Sequence, residues 1–245
     1  MSEAMADETR AEGALGAPVP GWTPPPHPQR SPMTGGRCVV APVEPNAHAD
    51  PLHAAYSAEG GESGWTYLPY GPFRSGGAFR RWMETSCRRA DPLFHAVLDA
   101  EGAPVGLASY LRITPEAGAI EIGHIHFSPA LRRTPAATEA LYMMIRRAFD
   151  LGYRRCEWKC DALNAASRRA AERLGFAFEG VHRQAAVVKG RNRDTAWYSI
   201  IDREWPPTRV AFESWLDASN FDEAERQVER LGVMIAEARA EMLAP

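Results

Sequence analysis

The sequence predicts an α+β domain: a mixed, mostly antiparallel sheet of six or seven strands, with helices on both faces. Three observations predict it. From Phe94 to Phe127, three strand-like runs follow one another through tight turns, which makes an antiparallel meander. From Pro135 to Leu174, helical spacing, a strand-like run and helical spacing alternate, which requires crossovers and some parallel pairing. And 245 residues leave room for one domain of ~150–200 residues plus tails.

The elements follow in order. Residues 1 to 36 read as a disordered tail, because seven prolines from Pro18 to Pro32 crowd a segment without apolar periodicity. Within it Trp22 either docks on the domain or floats with the tail. A short strand, Arg37 to Ala41, ends at Pro42, and Asn46 to Tyr56 reads as a helix with Leu52, Ala55 and Tyr56 on its apolar side. Trp65 to Phe73 is an aromatic, proline-stiffened loop that packs a core edge or lines a pocket. Ser75 is placed to cap a helix to about Arg89, with Phe79, Trp82, Met83 and Ser86 on one face.

Phe94–Leu98 and Val105–Ile113 are strands joined by a hairpin turn at Asp99-Ala100-Glu101-Gly102. The next strand runs from Ala119 to Phe127. Leu141, Met144, Ile145, Ala148 and Phe149 recur at helical spacing and stop at Gly152, a C-cap signal. Arg155–Cys160 is a strand, Asn164–Leu174 a helix, and Phe176–Val181 and Thr195–Ile201 complete the sheet through a turn at Lys189–Asn192. Residues 37–205 thus form the domain. After Trp205-Pro206-Pro207, residues 206–245 read as a helical extension: a short helix with Val210, Phe212, Trp215 and Leu216, then Asp222 to Leu243.

Composition excludes several classes. With 28 basic against 31 acidic residues, the chain lacks the positive charge of a general nucleic-acid binder. No apolar run approaches the ~20 residues of a membrane span. The acidic stretch Met1–Glu12 is not a signal peptide, and four scattered cysteines are too few for a disulfide framework, so a cytoplasmic location is expected.

The chemistry gathers between Ala119 and Gly180. Thr134 fits an N-cap and Pro135 the first helical position, leaving the N–H groups of Ala136, Ala137 and Thr138 at the helix start beside Arg132 and Arg133. That is either a basic turn before an ordinary helix or a cradle for a diphosphate. His124 and His126 share a strand face, with no third ligand at useful spacing, so packing or a substrate contact is expected and no metal. Cys156 and Cys160 read as buried thiols, and Asp194 as a residue that orients substrate or caps its turn.

In order and spacing these segments resemble the Gcn5-related N-acetyltransferase (GNAT) superfamily, in the RimJ/RimL-like branch. The family's pyrophosphate loop, Gln/Arg-x-x-Gly-x-Gly/Ala, appears as Arg132-Arg133-Thr134-Pro135-Ala136-Ala137, followed by Thr138-Glu139-Ala140. The likeness continues through Asn164-Ala165-Ala166-Ser167 and Arg173-Leu174-Gly175-Phe176-Ala177-Phe178-Glu179-Gly180, and covers residues 37–205. It implies the acyl-CoA N-acyltransferase fold, acetyl-CoA as co-substrate, and direct transfer of the acetyl group to a primary amine, of a protein N-terminus or a small molecule, within a ternary complex. The pantetheine arm would lie between Glu121–Phe127 and Arg155–Cys160, paired with the backbone of His126 and Phe127. Arg132, Arg133, Thr134, Pro135, Ala136, Ala137 and Thr138 would hold the diphosphate. Asn164 and Ser167 would face the pantetheine and sulfur, and Arg169, with Arg168 and Arg173, either reaches the 3′-phosphate or is solvated.

A lysine near pKa ~10.4 is mostly protonated at neutral pH, so a general base helps. Glu121, eleven residues before Arg132, has the spacing of the catalytic glutamate in the histone-acetylating members; a structural carboxylate is the other reading. Ser167 would protonate the departing thiolate, because the tyrosine many members carry near the Gly-Phe pair is Ala171 here. Trp65, Tyr70, Phe73 and His124 would shape the acceptor pocket. Departures are Pro135 for the first loop glycine, which removes an N–H, and Gln184-Ala185-Ala186 where RimL-type members carry an acid. Pro135, Ala171 and Ala186 keep a non-catalytic CoA-binding domain open as a rival, and transfer of another acyl group such as succinyl, which cationic groups facing the acyl end would favour, is a second. A homodimer through the sheet edge or the C-terminal helices is a further expectation.

Overall fold

The strand-like runs pair into one eight-stranded sheet. In the computed structural model, which describes residues 16–224 and 226–243, the strands are β1 (Met33–Thr34), β2 (Val39–Pro42), β3 (Leu93–Leu98), β4 (Pro104–Thr114), β5 (Ala119–Phe127), β6 (Arg155–Asp161), β7 (Ala177–Val188) and β8 (Arg191–Ile201). Their order across the sheet is β1-β2-β3-β4-β5-β6-β8-β7. Every neighbouring pair is antiparallel except β5 with β6. The helices are α1 (Pro45–Ser57), α2 (Gly76–Ser86), α3 (Pro135–Asp150), α4 (Ala165–Arg173), α5 (Trp205–Leu216) and α6 (Leu231–Leu243).

Strand alternation divides the core in two. On one face Leu93, Val97, Tyr110, Ile120, Ile122 and Trp158 pack with the apolar sides of α3, α5 and α6. On the other, Phe94, Ala96 and Leu107 pack with Leu52, Tyr56, Trp65, Phe79 and Met83 from α1, α2 and the aromatic loop. Helices therefore cover both faces, as expected. The strands number one more than the largest expectation, and the extra one is the two-residue β1.

The crossover helix α3 forms where its signals place it. Thr134 Oγ1 accepts from Ala137 N–H at 3.2 Å, and Pro135 occupies the first turn, where its missing N–H is harmless. Gly152 ends the helix at φ +97°, a conformation that strains side-chain-bearing residues, and Tyr153 N–H closes back onto Ala148 C=O.

The tail differs from expectation. Residues 1–15 lie outside the described residues, but residues 25–36 run along the domain. Pro25, Pro28 and Met33 are buried. Arg147 donates to the carbonyls of Ser31 and Pro32 (2.7 and 2.8 Å), Tyr153 to that of Pro26, and Arg30 to those of Cys87 and Arg89. Trp22 packs on Arg154. Prolines lack N–H groups and periodicity, so the segment reads as disordered, yet its free carbonyls suit these donors.

Glu139, on α3, fastens the start of β2. Its carboxylate is buried and accepts from the N–H groups of Gly36, Arg37 and Cys38 at 2.8, 2.7 and 3.0 Å. Burial and this carboxylate push the Cys38 thiol up to about 12. At the other end α5 and α6 belong to the core. Phe212 stacks on Tyr142, Trp205 on Phe149, and Leu231 and Ile235 are buried. The last helix starts at Leu231 rather than Asp222, because Asp222 turns the chain by accepting from Ala224 and Arg226 N–H. The β7–β8 hairpin is longer than expected. β7 is exposed along nearly its whole length, so no apolar alternation marks it.

Replacing Glu139 by Ala leaves three N–H donors without their acceptor, one of them buried and two partly buried. Each such loss is worth about 1–3 kcal/mol, and with partial rehydration the expected destabilisation is about 2–4 kcal/mol in urea unfolding. A change under about 0.5 kcal/mol would remove Glu139 from this anchoring role.

Candidate active site

β5 and β6 run together for only three residue pairs: Ala119 with Arg155, Ile120 with Cys156, Glu121 with Glu157. Beyond Glu121 they part, while each keeps its other neighbour, β4 and β8. A bulge turns β5 at the parting. Three steps on β5 (Gly123 to His126) oppose two on β4 (Ser109 to Leu107), and His124 takes φ +49°. Past the bulge His126 stacks on Tyr56 (centroids 3.9 Å), and His124 lies beside Tyr70 and Phe94, so the two histidines do share a face.

Glu121 stands at the vertex, its side chain 4% exposed. Arg112 Nη1 and Lys159 Nζ reach its Oε2 at 2.7 and 3.1 Å. Lys159 also pairs with Glu157 at 2.6 Å and sits 3.7 Å from the Trp197 ring centroid. Asp91 fixes the bulge that aims Arg112 (φ +46°) by accepting from the N–H groups of Arg112 and Ile113. Burial pushes the Glu121 carboxyl above its ordinary range, and the two cations oppose but do not cancel that rise.

At the α3 end of the opening, the amides of Arg133 and Ala136 have no acceptor among the described residues, and Arg133 is exposed at φ +65°. Pro135 adds no N–H, and the Ala137 N–H is taken by Thr134. These free amides beside a cation suit an anion. Arg132, expected beside them, turns inward. Its Nε holds the Phe127 carbonyl at 2.8 Å, and its Nη1 holds the Gly60 carbonyl and the Ser63 hydroxyl. Its Nη2 and both His126 ring nitrogens are buried without partners among the described residues. Arg132 Nη2 and His126 Nε2 face Gly64, where any Cβ would collide with them. Thr138 is buried, and its hydroxyl accepts from Arg173, which lies over Trp215.

Asn164 caps α4 by accepting from Ser167 N–H, and the Ser167 hydroxyl accepts from Trp158 Nε1 at 3.0 Å, so its O–H is the group's donor, beside the Cys160 thiol. Arg168 holds the Tyr198 hydroxyl, while Arg169 is exposed on the same helix. The His126 carbonyl accepts from Tyr56, and a carbonyl has capacity for a second donor. Asp194 accepts from Gln184 N–H and Asn192, a turn-holding use.

Of the four expected acceptor-pocket residues, Tyr70 and His124 line a cavity of about 130 Å³, with Trp82, Phe94 and Pro92. Trp65 and Phe73 pack behind it. Tyr70 Oη meets His124 Nδ1 at 3.2 Å, and burial, with the charges of Arg112 and Arg193, pushes His124 down to about 4. Two bonds bridge the C-terminal end of β6: Lys189 to the Trp65 carbonyl (2.7 Å) and Tyr67 to that of Leu163 (3.2 Å). A larger hollow of about 260 Å³ lies between the start of α1 and α2, at Glu44, Glu84 and Arg88, on neither parting strand. Among the described residues no helix is long and apolar enough to cross a membrane.

A family model described as "Acetyltransferase (GNAT) domain", of the RimJ/RimL type, matches residues 37–177. The chain belongs to the GNAT acetyltransferase family. A GCN5-related N-acetyltransferase from Brucella melitensis is 44% identical, with TM-score 0.87, over 89% of this chain and 100% of that one. A probable GNAT acetyltransferase from Chromobacterium violaceum is 42% identical, with TM-score 0.74, over 78% and 97%. The microcin C7 self-immunity acetyltransferase MccE, solved in complex with acetyl-CoA and AMP, shares the fold at 19% identity and TM-score 0.60, over 68% and 93%. No curated protein matches the chain. The fold is that of the acyl-CoA N-acyltransferases, and the chain is a GNAT N-acetyltransferase.

The two neighbouring arginines separate by experiment. Arg132→Ala frees two carbonyls and is expected to lower stability by about 1–3 kcal/mol in denaturant unfolding. Arg133→Ala is expected to leave the unfolding midpoint unmoved. Equal midpoints for the two variants would contradict the inward role of Arg132.

Proposed function

We propose that this acetyltransferase moves the acetyl group of acetyl-CoA directly to a primary amine, with donor and acceptor bound together. The parting of β5 from β6 immediately after a buried glutamate carries the reading: a narrow donor fits between the strands, and Glu121 stands where they separate. Bound there, acetyl-CoA supplies the thioester. The chain's residues do the rest.

The free amides of Arg133 and Ala136, the capped start of α3 and the Arg133 side chain bind the diphosphate. Backbone groups on the open side of Ile125 to Phe127 orient the pantetheine. On the other face the amine approaches past Tyr70 and His124. Arg112 and Lys159 act on both partners of the proton transfer. Nearby positive charge favours the neutral amine over the ammonium, and the same cations hold the Glu121 carboxylate in place. As nitrogen bonds to the acetyl carbon and the carbon–sulfur bond breaks, the nitrogen's proton passes to Glu121, through water where the two do not touch. The Ser167 O–H donates toward the departing sulfur. Burial serves this role because a carboxylate with a raised pKa is a stronger base.

Calorimetric titration with acetyl-CoA tests the donor site; heat-silent, non-competable titrations would remove it. Glu121→Gln tests the base. Only the ionised carboxylate accepts a proton, so the wild-type rate falls as pH drops through the raised Glu121 pKa. In Glu121→Gln that acid limb should vanish and kcat should fall about 10²- to 10⁴-fold, read as thiol release with a primary amine. An unchanged profile and kcat would exclude Glu121 as base.

A further inference from the structure

We infer that the acceptor is a free α-amino acid with an apolar side chain. Its side chain enters the Tyr70–Trp82–Phe94–His124 cavity, its carboxylate pairs with Arg193, and its amine meets Glu121. The inference rests on the acetyltransferase reading and names the acceptor class for that same site.

The cavity sets the size. At about 130 Å³ it falls well below the ~300–1,000 Å³ of pockets that enclose whole drug-sized ligands, so it suits one side chain. Its walls are aromatic rings and Pro92; the Tyr70 hydroxyl and His124 Nδ1 satisfy each other, and the Ser86 hydroxyl and the Arg89 side chain form the polar edge. An apolar group is what such walls reward. His124 forms the wall on the β5 side, three residues from Glu121, so a side chain seated there keeps its own α-amine near the vertex.

Arg193 sets the charge. Arg112, Arg155 and Lys159, the cations of the ion-pair chain around Glu121, each pair with a carboxylate within 4 Å. Arg193 is half-buried, and its one hydrogen bond among the described residues is from Nε to the Thr195 hydroxyl, at 3.2 Å. Removing a cation from water without a counter-ion is unfavourable, and a planar guanidinium with free N–H groups matches a carboxylate. Strand alternation puts Arg193 with Thr195 and Trp197, hence with Lys159 and Glu121. Its charge, with that of Arg112, is felt at His124 on the cavity wall, and also at Cys160 across the sheet.

The bridging bonds set the length. Lys189 to Trp65 and Tyr67 to Leu163 draw the hairpin tip and the aromatic loop together across the end of β6. A continuing polypeptide would have to displace them, whereas an amino acid would not. A peptide N-terminus also offers Arg193 no α-carboxylate, because that group is tied up in the peptide bond.

The test compares acceptors by thiol release from acetyl-CoA. L-leucine, L-methionine and L-phenylalanine are set against leucinamide, 3-methylbutylamine, glycine and a leucine-headed tripeptide. A site built to bond the carboxylate should prefer leucine over 3-methylbutylamine by about 10²-fold or more in kcat/KM. Arg193→Met should collapse that ratio toward one, with Arg193→Lys intermediate. Ser86→Leu, which narrows the cavity from α2, should independently lower the preference for leucine over glycine. Equal rates for leucine and its amide, a faster tripeptide, or no turnover of any amino acid would overturn the inference while acetyl-CoA binding keeps the acetyltransferase reading intact. A preference for succinyl-CoA that Arg193→Met abolishes would also overturn it, by giving Arg193 to the donor. Failure of acetyl-CoA to bind at all would remove both.

Discussion

A parallel ladder that stops after three pairs is the constraint on which the rest of this protein turns. Inside a sheet, backbone N–H and C=O groups are ordinarily paired strand to strand, and leaving them unpaired in a dry interior is unfavourable. Here the seam between β5 and β6 opens while the flanking ladders, β4 with β5 and β6 with β8, remain intact. The bulge at His124 bends β5 away, and the chain spends side chains on the exposed main chain. Arg132 takes the Phe127 carbonyl, Tyr56 takes that of His126. What remains is a slot with polar edges, ending at a helix start with unused amides and beginning at a buried carboxylate. Binding and chemistry are adjacent because one backbone irregularity makes both.

Electrostatics at the slot are arranged by strand register. Glu121, Glu157 and Glu179 alternate in space with Arg112, Lys159 and Arg155, so each of these six charges finds a counter-charge. Such pairs contribute little to stability when compared with apolar packing, because desolvation offsets much of the attraction. Their value here is positional. Lys159 cannot leave Glu121 without also leaving Glu157 and the Trp197 face, so the carboxylate is held by a partner that is itself held.

Much of this was legible in the chain, and the reasons differ by element. Helix α3 declared itself through a cap, a first-turn proline, apolar spacing and a terminal glycine, all local signals. The strands β3 to β6 declared themselves within a residue or two. The parting of β5 and β6 could be expected only through family resemblance, since nothing in a strand's own residues says where its neighbour leaves. Glu121 likewise stood out by its distance from Arg132, but Arg112 and Lys159 did not, because their relation to it runs across ladders. The inward bonds of Arg132 were hidden for the same reason. Its partners, Gly60 and Ser63, lie some seventy residues earlier and come near only in the folded chain. Trp82 read as part of an apolar helix face and Phe94 as the start of a strand, and only the fold reveals that they border a gap. The proline segment before residue 36 read as loose because its bonds are made through carbonyls, which every residue has.

Glu139 ties two distant parts of the molecule into one cooperative unit. It sits one turn into the helix whose first turn would receive the donor's phosphates, and its carboxylate clasps the amides that open β2. Any anion that stabilises the start of α3 therefore stabilises the folded neighbourhood of Gly36 to Cys38, by mass action on the same local opening. In amide hydrogen exchange, occupancy of the slot would be written at the amino-terminal edge of the sheet, on protons that never touch the ligand.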